Sequence, residues 1–136
     1  MILVINTANN EKAFLGLWEE TWLSEVEWEA GRNLSADILI KLDELYQLAK
    51  REIKKTQGII INSGPGSFTG LRIGISVANT ISYTLNIPIV GVSDPKTAEA
   101  LLEAGYGKLA KQAIFLQSII PEYGREPNIS QPKRKN

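Results

Sequence analysis

Cysteine and histidine are both absent from the 136 residues of the chain. Without cysteine, the chain has no disulfide bond and no thiolate ligand for a metal. Without histidine, it lacks the side chain used most often for acid–base catalysis near neutral pH, and its serine and threonine hydroxyls have no imidazole to activate them. We therefore expect no catalytic residue, no bound metal and no cofactor.

An excess of charge and a long hydrophobic run are also absent. The 15 basic side chains equal the 15 acidic ones, so the chain has no overall field that would attract nucleic acid or a membrane surface. The apolar run at residues 1–5 is too short for a signal peptide or a membrane span. We expect a cytoplasmic protein of one domain that does not contact the membrane.

The apolar residues change from an alternating to a continuous pattern along the chain. The first 30 residues predict three antiparallel strands, at residues 1–8, 12–19 and 21–30. Continuous apolar runs indicate two parallel strands that are covered on both faces, at residues 58–62 and 88–92. Helical spacing of apolar residues predicts two long helices, at residues 35–55 and 71–85. The pattern predicts an α/β fold with a mixed five-stranded sheet and helices packed on it.

The remaining residues predict shorter elements and a tail. We expect a helix at residues 97–104, a break at Gly105-Tyr106-Gly107, and a last helix at residues 108–120 with Leu109, Ala113, Leu116 and Ile120 on one face. Residues 121–136 predict an extended tail that ends in the basic cluster Lys133, Arg134 and Lys135, which we interpret as a solvated terminus. The chain then divides into residues 1–95, helices at 96–120 that pack on the same unit, and a tail at 121–136.

A glycine-rich turn lies between the first parallel strand and the helix that follows it. Backbone N–H groups at a helix N-terminus can hold a phosphate, which is one interpretation of this turn. However, no lysine follows the glycines as in a Walker A loop, and Pro65 removes one N–H donor. In the simpler interpretation, Gly64 and Gly66 permit a tight exit from the strand, and Ser67 or Thr69 caps the helix.

Residues 64–74 read GPGSFTGLRIG and resemble the signature of bacterial TsaB (YeaZ-type) proteins. The matching motif loop consists of Gly64, Pro65, Gly66, Ser67, Phe68, Thr69, Gly70, Leu71 and Arg72. A weaker similarity at residues 121–125 is to the P-x-Y-x-R sequence with which the family closes. The resemblance implies a single actin/Hsp70/sugar-kinase-like (ribonuclease H-like) lobe at residues 1–95, in a shortened form that lacks most of the family's second lobe.

The resemblance also implies a function. TsaB proteins are non-catalytic partners of TsaD in making threonylcarbamoyladenosine in tRNA, so we expect a scaffold or activator subunit that binds a TsaD-type protein. A TsaE-type ATPase is a further candidate partner, and tRNA is expected only through the complex. A direct tRNA contact of the basic tail is the alternative, although three charges would contribute little affinity at physiological salt.

Two other functions stay open beside this one, a homodimeric structural remnant and a nucleotide-binding enzyme of the same superfamily. The superfamily places a phosphate and metal site at the tip of the first strand, with an acidic residue as its anchor. This chain has Asn6 there, and a neutral amide contributes no charge to hold Mg²⁺. We therefore expect Asn6 to satisfy the backbone at the strand end.

The helix predicted at residues 71–85 is apolar on two sides, so both sides need cover. One side packs on the sheet, and the other carries Ile73, Val77, Thr80 and Thr84. The first long helix covers this second side in one interpretation, and a partner protein covers it in the other. Ile40 and Leu48 lie off the sheet-facing stripe of the first helix and extend the same kind of surface. We therefore favour a partner-binding surface formed by Ile40, Leu48, Ile73, Val77, Thr80 and Thr84.

Overall fold

The computed structural model describes residues 1–9, 11–111 and 119–122. Its five strands are β1 (Ile2–Asn6), β2 (Lys12–Trp18), β3 (Trp22–Glu29), β4 (Gly58–Gly64) and β5 (Ile89–Ser93). Three α-helices are described in these ranges, α1 (Leu34–Ala49), α2 (Phe68–Leu85) and α3 (Ala98–Lys111). Short 3₁₀ turns at Gly31–Asn33 and Ile53–Lys55 stand on either side of α1.

The five strands form one sheet in the order β3-β2-β1-β4-β5. The pairs β1–β2 and β2–β3 are antiparallel, whereas β4 runs parallel to β1 and β5 runs parallel to β4. Every residue of β4 is buried, as the continuous β-branched run at Ile59–Ile61 requires, since such a run suits a strand with no face in water. The predicted α/β fold with a mixed five-stranded sheet is confirmed.

Helices cover both faces of the sheet. Helices α1 and α2 pack on the face formed by Leu3, Ile5, Leu15, Leu17, Ile59 and Ile61. Helix α3 packs on the opposite face, on Val4, Ile60, Val90 and Val92. Because side chains alternate along each strand, neighbouring residues enter different cores. In the described residues, no helix is long and apolar enough to cross a membrane.

The bounds of the first two helices differ from those predicted. Helix α1 ends at Ala49, not at residue 55, because Lys50 takes a left-handed conformation (φ 58°) and its N–H bonds back to the carbonyl of Gln47. Ile53, which the predicted range would have placed inside the helix, stands beyond this cap with 42% of its surface exposed. Helix α2 begins at Phe68, three residues before the predicted start.

The predicted helix break at Gly105-Tyr106-Gly107 is wrong, because α3 continues through it to Lys111. Gly105 lies against Ile60 of β4, and a Cβ atom there would come within 3.0 Å of three atoms of the Ile60 side chain. This glycine therefore allows the helix to approach the sheet closely.

The predicted helix at residues 108–120 is also wrong at both of its described ends. Its first residues belong to α3, and residues 119–122 are neither helix nor strand. Ile120, predicted on an apolar helix face, is 78% exposed. The predictions for Ala113 and Leu116, for residues 123–125 of the closing motif, and for Lys133, Arg134 and Lys135 lie outside the described residues.

Candidate functional site: the motif loop and the helix pair

The motif loop joins the end of β4 to the first turns of α2. Ser67 is the N-cap residue of the helix, and its Oγ accepts a hydrogen bond from the N–H of Gly70 at 3.1 Å. This confirms Ser67, one of the two predicted caps. The guanidinium carbon of Arg72 lies 5.6 Å from the centre of the Phe68 ring, a distance at which a cation is attracted to an aromatic face. Leu71 is fully buried in the core beneath the helix.

Three glycines of this region recur every four residues and face the chain that follows β1. A Cβ atom on Gly70 or Gly74 would come within 3.0 Å of Thr7, and one on Gly66 would come within 3.0 Å of Ala8. Hydrogen bonds join the same parts, because Thr7 Oγ1 donates to the Gly70 carbonyl at 2.7 Å and the Ser67 N–H donates to the Ala8 carbonyl at 2.8 Å. The glycines thus permit close packing between α2 and the end of β1.

The tips of β1 and β4 are held together by two side-chain amides. Asn62 Nδ2 donates to Asn6 Oδ1 at 3.1 Å, and the same Asn6 oxygen accepts from the N–H of Ala8 at 3.1 Å. Asn62 Oδ1 accepts from the N–H of Gly64 at 2.9 Å. Asn6 therefore stabilises the turn after its strand and the contact between strands. Sequence reasoning missed Asn62, because only the parallel register of β1 and β4 brings it to Asn6.

The proposed partner-binding residues of α2 fall into two environments. Ile73 and Val77 are half-buried and pack against the core cluster that includes Leu34 and Ile38 of α1. Thr80 and Thr84 are exposed, and Thr80 Oγ1 donates to the carbonyl of Ser76 within the helix at 2.8 Å. Helix α1 thus covers the first half of this side of α2, and the second half remains exposed in the described chain.

The apolar side chains of α1 that face away from the sheet are highly exposed. Ile40 is 66% exposed and Leu48 is 59% exposed, as expected for residues off the buried stripe. Leu39, which sequence reasoning missed, is 65% exposed. A signal for it was present, because one stripe of a helix cannot bury all three consecutive aliphatic residues 38–40.

Leu39 also borders a groove between the two helices. The groove has a volume of about 390 Å³. Apolar side chains line it together with polar and charged ones, and its lining consists of Leu39, Leu42, Asp43, Tyr46, Gln47, Arg51, Glu52, Ile53 and Ile81. Exposed apolar groups therefore extend from the outer side of α1 to the seam with α2.

Tyr46 and Thr56 form a buried hydrogen bond near one end of this groove, with 2.6 Å between their hydroxyl oxygens. Both residues are at most 5% exposed. Burial raises the pKa of Tyr46 to about 12, and the hydrogen bond with Thr56 offsets part of that rise. The phenol is therefore neutral at physiological pH, and it anchors the end of α1 to the segment that leads into β4.

We expect Tyr46→Phe to lower the free energy of unfolding by about 1–2 kcal/mol, because a buried hydroxyl loses its partner. The folded-state pKa is raised above the ordinary value of 10, so the stability that Tyr46 contributes is present below pH 10 and declines as the pH rises towards 12. Urea denaturation measures both effects. The difference between wild type and variant should shrink above pH 10, and a constant difference would contradict this account.

Tyr83→Phe is the matched control, because Tyr83 is 76% exposed. The same loss of a hydroxyl should there change the free energy of unfolding by less than about 0.5 kcal/mol.

Comparison with known proteins places this geometry in a family. The family model described as "TsaD: tRNA N6-adenosine threonylcarbamoyltransferase" matches residues 28–118, which are 91 of the 136 residues. The chain belongs to this family. The matched range contains the motif loop and the three helices described above.

Within the family, the chain is of the TsaB (YeaZ) type. It is 33% identical over 102 residues to the tRNA threonylcarbamoyladenosine biosynthesis protein TsaB of Bacillus subtilis (strain 168), which is 73% of this chain and 43% of that relative. It is 34% identical over 116 residues to the TsaB of Buchnera aphidicola subsp. Schizaphis graminum, covering 85% of this chain and 53% of the relative. YeaZ from Pseudomonas aeruginosa superposes with a TM-score of 0.62 at 26% identity, over 69% of this chain and 44% of that structure.

These matches confirm the TsaB resemblance on which the motif loop was singled out. They also show that this TsaB-type chain spans about half the length of the relatives it matches.

Proposed function

We propose that this chain is a non-catalytic scaffold or activator subunit that binds a TsaD-type transferase in the synthesis of threonylcarbamoyladenosine in tRNA. Membership of the family and the similarity to proteins named for this biosynthesis support the pathway. The observation that carries the proposed role is the high exposure of three apolar side chains on α1, those of Leu39, Ile40 and Leu48. We further propose a cytoplasmic location, which follows from a role in tRNA modification.

The motif loop supports a non-catalytic role. Its glycines are used for close packing against Thr7 and Ala8, so their presence needs no bound phosphate to explain it. Its Ser67 hydroxyl caps a helix, and with no histidine in the chain it has no imidazole base to activate it. The resemblance implies an acidic anchor at the tip of β1, and the Asn6 amide that stands there is bonded to Asn62 and Ala8.

The helix pair supports a protein partner. Single exposed aliphatic residues are common, but α1 carries three of them, and one of the three, Leu39, also borders the groove towards α2. Thr80 and Thr84 lie on the same side of α2 as Ile73 and Val77, but unlike those two residues they are exposed. The TsaD-type transferase is the partner proposed for it, and a TsaE-type ATPase is proposed to join the same complex.

Mixing the purified chain with the cognate TsaD-type transferase tests this proposal. We expect a complex with one copy of each protein, measured by size-exclusion chromatography with light scattering. The chain alone should not bind tRNA, since its formal net charge is zero. If the chain elutes separately from the transferase with twice its own mass, the homodimeric alternative is favoured instead.

We expect no binding of ATP with Mg²⁺ to the chain alone, because a neutral amide at Asn6 contributes no charge to hold the metal. Isothermal titration calorimetry should give no heat beyond dilution. Binding in the micromolar range that is lost in Asn6→Ala would contradict the prediction and favour the nucleotide-binding alternative.

A further inference from the structure

Residues 119–122 lie against α2 and the ends of β4 and β5. They contact Asn79 of α2, Gly91 and Ser93 of β5, and Ser63 and Gly64 at the end of β4. We call these five residues the seat. The seat is separate from the exposed apolar residues of α1, so its role does not depend on the proposed transferase surface.

The first residue of the segment is held at its backbone and its side chain. The Asn79 side chain accepts from the Ile119 N–H at 3.0 Å and donates to the Ile119 carbonyl at 3.1 Å, so one amide pairs with both backbone groups. The Ile119 side chain packs over Gly91, where a Cβ atom would lie 3.2 Å from its Cγ2. The absence of a side chain at Gly91 therefore leaves room for a β-branched apolar residue at the first position.

The fourth residue is held in the same two ways. The Glu122 N–H donates to the Ser63 carbonyl at 2.7 Å, and Ser93 Oγ donates to the Glu122 carboxylate at 3.1 Å. A Cβ atom on Gly64 would come within 3.0 Å of the Glu122 carbonyl, so this first glycine of the motif loop leaves room for the segment's backbone. The fourth position therefore suits an acidic residue.

The second and third residues are constrained less. Ile120 is 78% exposed, so the second position accepts any side chain. Pro121 at the third position has no N–H and requires no acceptor from the seat. Proteins commonly recognise extended peptides by pairing with their backbone and by accommodating the side chains at only some positions.

We propose that the seat is a peptide-binding site for an extended segment with a β-branched residue, any residue, proline and an acidic residue in succession. The chain fills it with its own residues 119–122, and the same sequence in a separate peptide binds it when the chain's own segment is displaced. The seat contributes Asn79 for the backbone, Gly91 for the apolar side chain and Ser93 for the carboxylate.

The absence of cysteine allows a direct test with single-cysteine reporters. A cysteine at position 119 should react with a thiol reagent on the order of tenfold more slowly than one at the exposed position 120, because it reacts only when the segment leaves the seat. Adding Asn79→Ala should raise the rate at position 119 on the order of tenfold and leave position 120 unchanged, since two hydrogen bonds are lost. Equal rates at 119 and 120 in the parent chain would overturn the proposal.

Two controls separate release of the segment from general unfolding. Ala13 is 1% exposed on β2, and a cysteine there should keep its low rate when Asn79→Ala is added. An increase at position 13 as large as that at 119 would mean that Asn79 only stabilises the fold, and the proposal would be wrong. Ser76→Ala, at an exposed position on α2, should leave all rates unchanged.

Binding in trans is tested on the full chain carrying Ile119→Gly and Glu122→Gly. A peptide with the sequence of residues 118–123, titrated to millimolar concentration, should shift the NMR signals of the Asn79 side-chain amide in a saturable way. The same peptide with glycine at the first and fourth positions of the pattern should not shift these signals. If neither peptide shifts these signals in a folded variant, the site does not bind in trans and the proposal fails. If the variant does not fold, the reaction rates of the cysteines at positions 119 and 120 decide whether the proposal stands.

Discussion

Replacing Gly70 with alanine should lower the free energy of unfolding by about 2–3 kcal/mol, although the same change usually stabilises a helix. Alanine exceeds glycine in helix propensity by up to about 1 kcal/mol. At this position, however, the new Cβ atom would come within 3.0 Å of the backbone carbonyl of Thr7, which is part of the chain end that α2 packs against. Backbone cannot rotate away, so the helix must shift, and overpacking of this kind costs about 1–3 kcal/mol or more.

Gly107→Ala is the matched control for this change. Gly107 also lies in a helix, but among the described residues no atom would come within 4 Å of a Cβ atom there. We expect this variant to gain up to about 1 kcal/mol, and urea denaturation of the two variants gives the difference. If Gly70→Ala were as stable as Gly107→Ala, the motif glycines would not serve close packing, and the phosphate-binding interpretation of the loop would regain support.

The strands could be predicted from sequence because their signal is local. The run Ile59–Ile61 has no polar residue to place in water, so it had to be a strand covered on both faces. The cap at Ser67 is local in the same sense, because its hydroxyl reaches the N–H of Gly70 within one turn. These features need no knowledge of distant residues.

Apart from the end of α1, which a local cap at Lys50 sets, the errors arose where distant residues decide the structure. Gly105 was interpreted as a helix breaker, but its role is to let the helix approach the Ile60 side chain. Ile60 is 45 positions away in the sequence, so the local pattern does not reveal this contact. The pairing of Asn6 with Asn62 was missed for the same reason. Ile73 and Val77 show the remaining limit, because an apolar side of a helix looks the same in sequence whether a second helix or a partner protein covers it.

The largest expected effect on function is that of Ile40→Asp, which should weaken association with the TsaD-type transferase by roughly a thousandfold. A carboxylate that an interface buries without a partner costs about 3–5 kcal/mol. Ile40 is 66% exposed in the chain itself, so the variant should fold normally, with a free energy of unfolding within about 0.5 kcal/mol of wild type. Val77 is a poorer probe, because it is half-buried against the core and a charge there would also destabilise the fold. Calorimetric titration of the transferase with each variant measures the effect.

Ile120→Asp provides the matched control, since the same substitution is made at an isoleucine that is 78% exposed and does not belong to α1. The surface of Leu39, Ile40 and Leu48 accounts for the difference only if the Ile120 variant binds the transferase like wild type.

Leu39→Asp then distinguishes how far the contact extends, because Leu39 borders the groove towards α2 whereas Ile40 faces away from the sheet. A loss of binding in both would place the partner across the helix pair. If Ile40→Asp and Leu39→Asp both bind like wild type, α1 is not the contact and its exposed apolar residues have another cause.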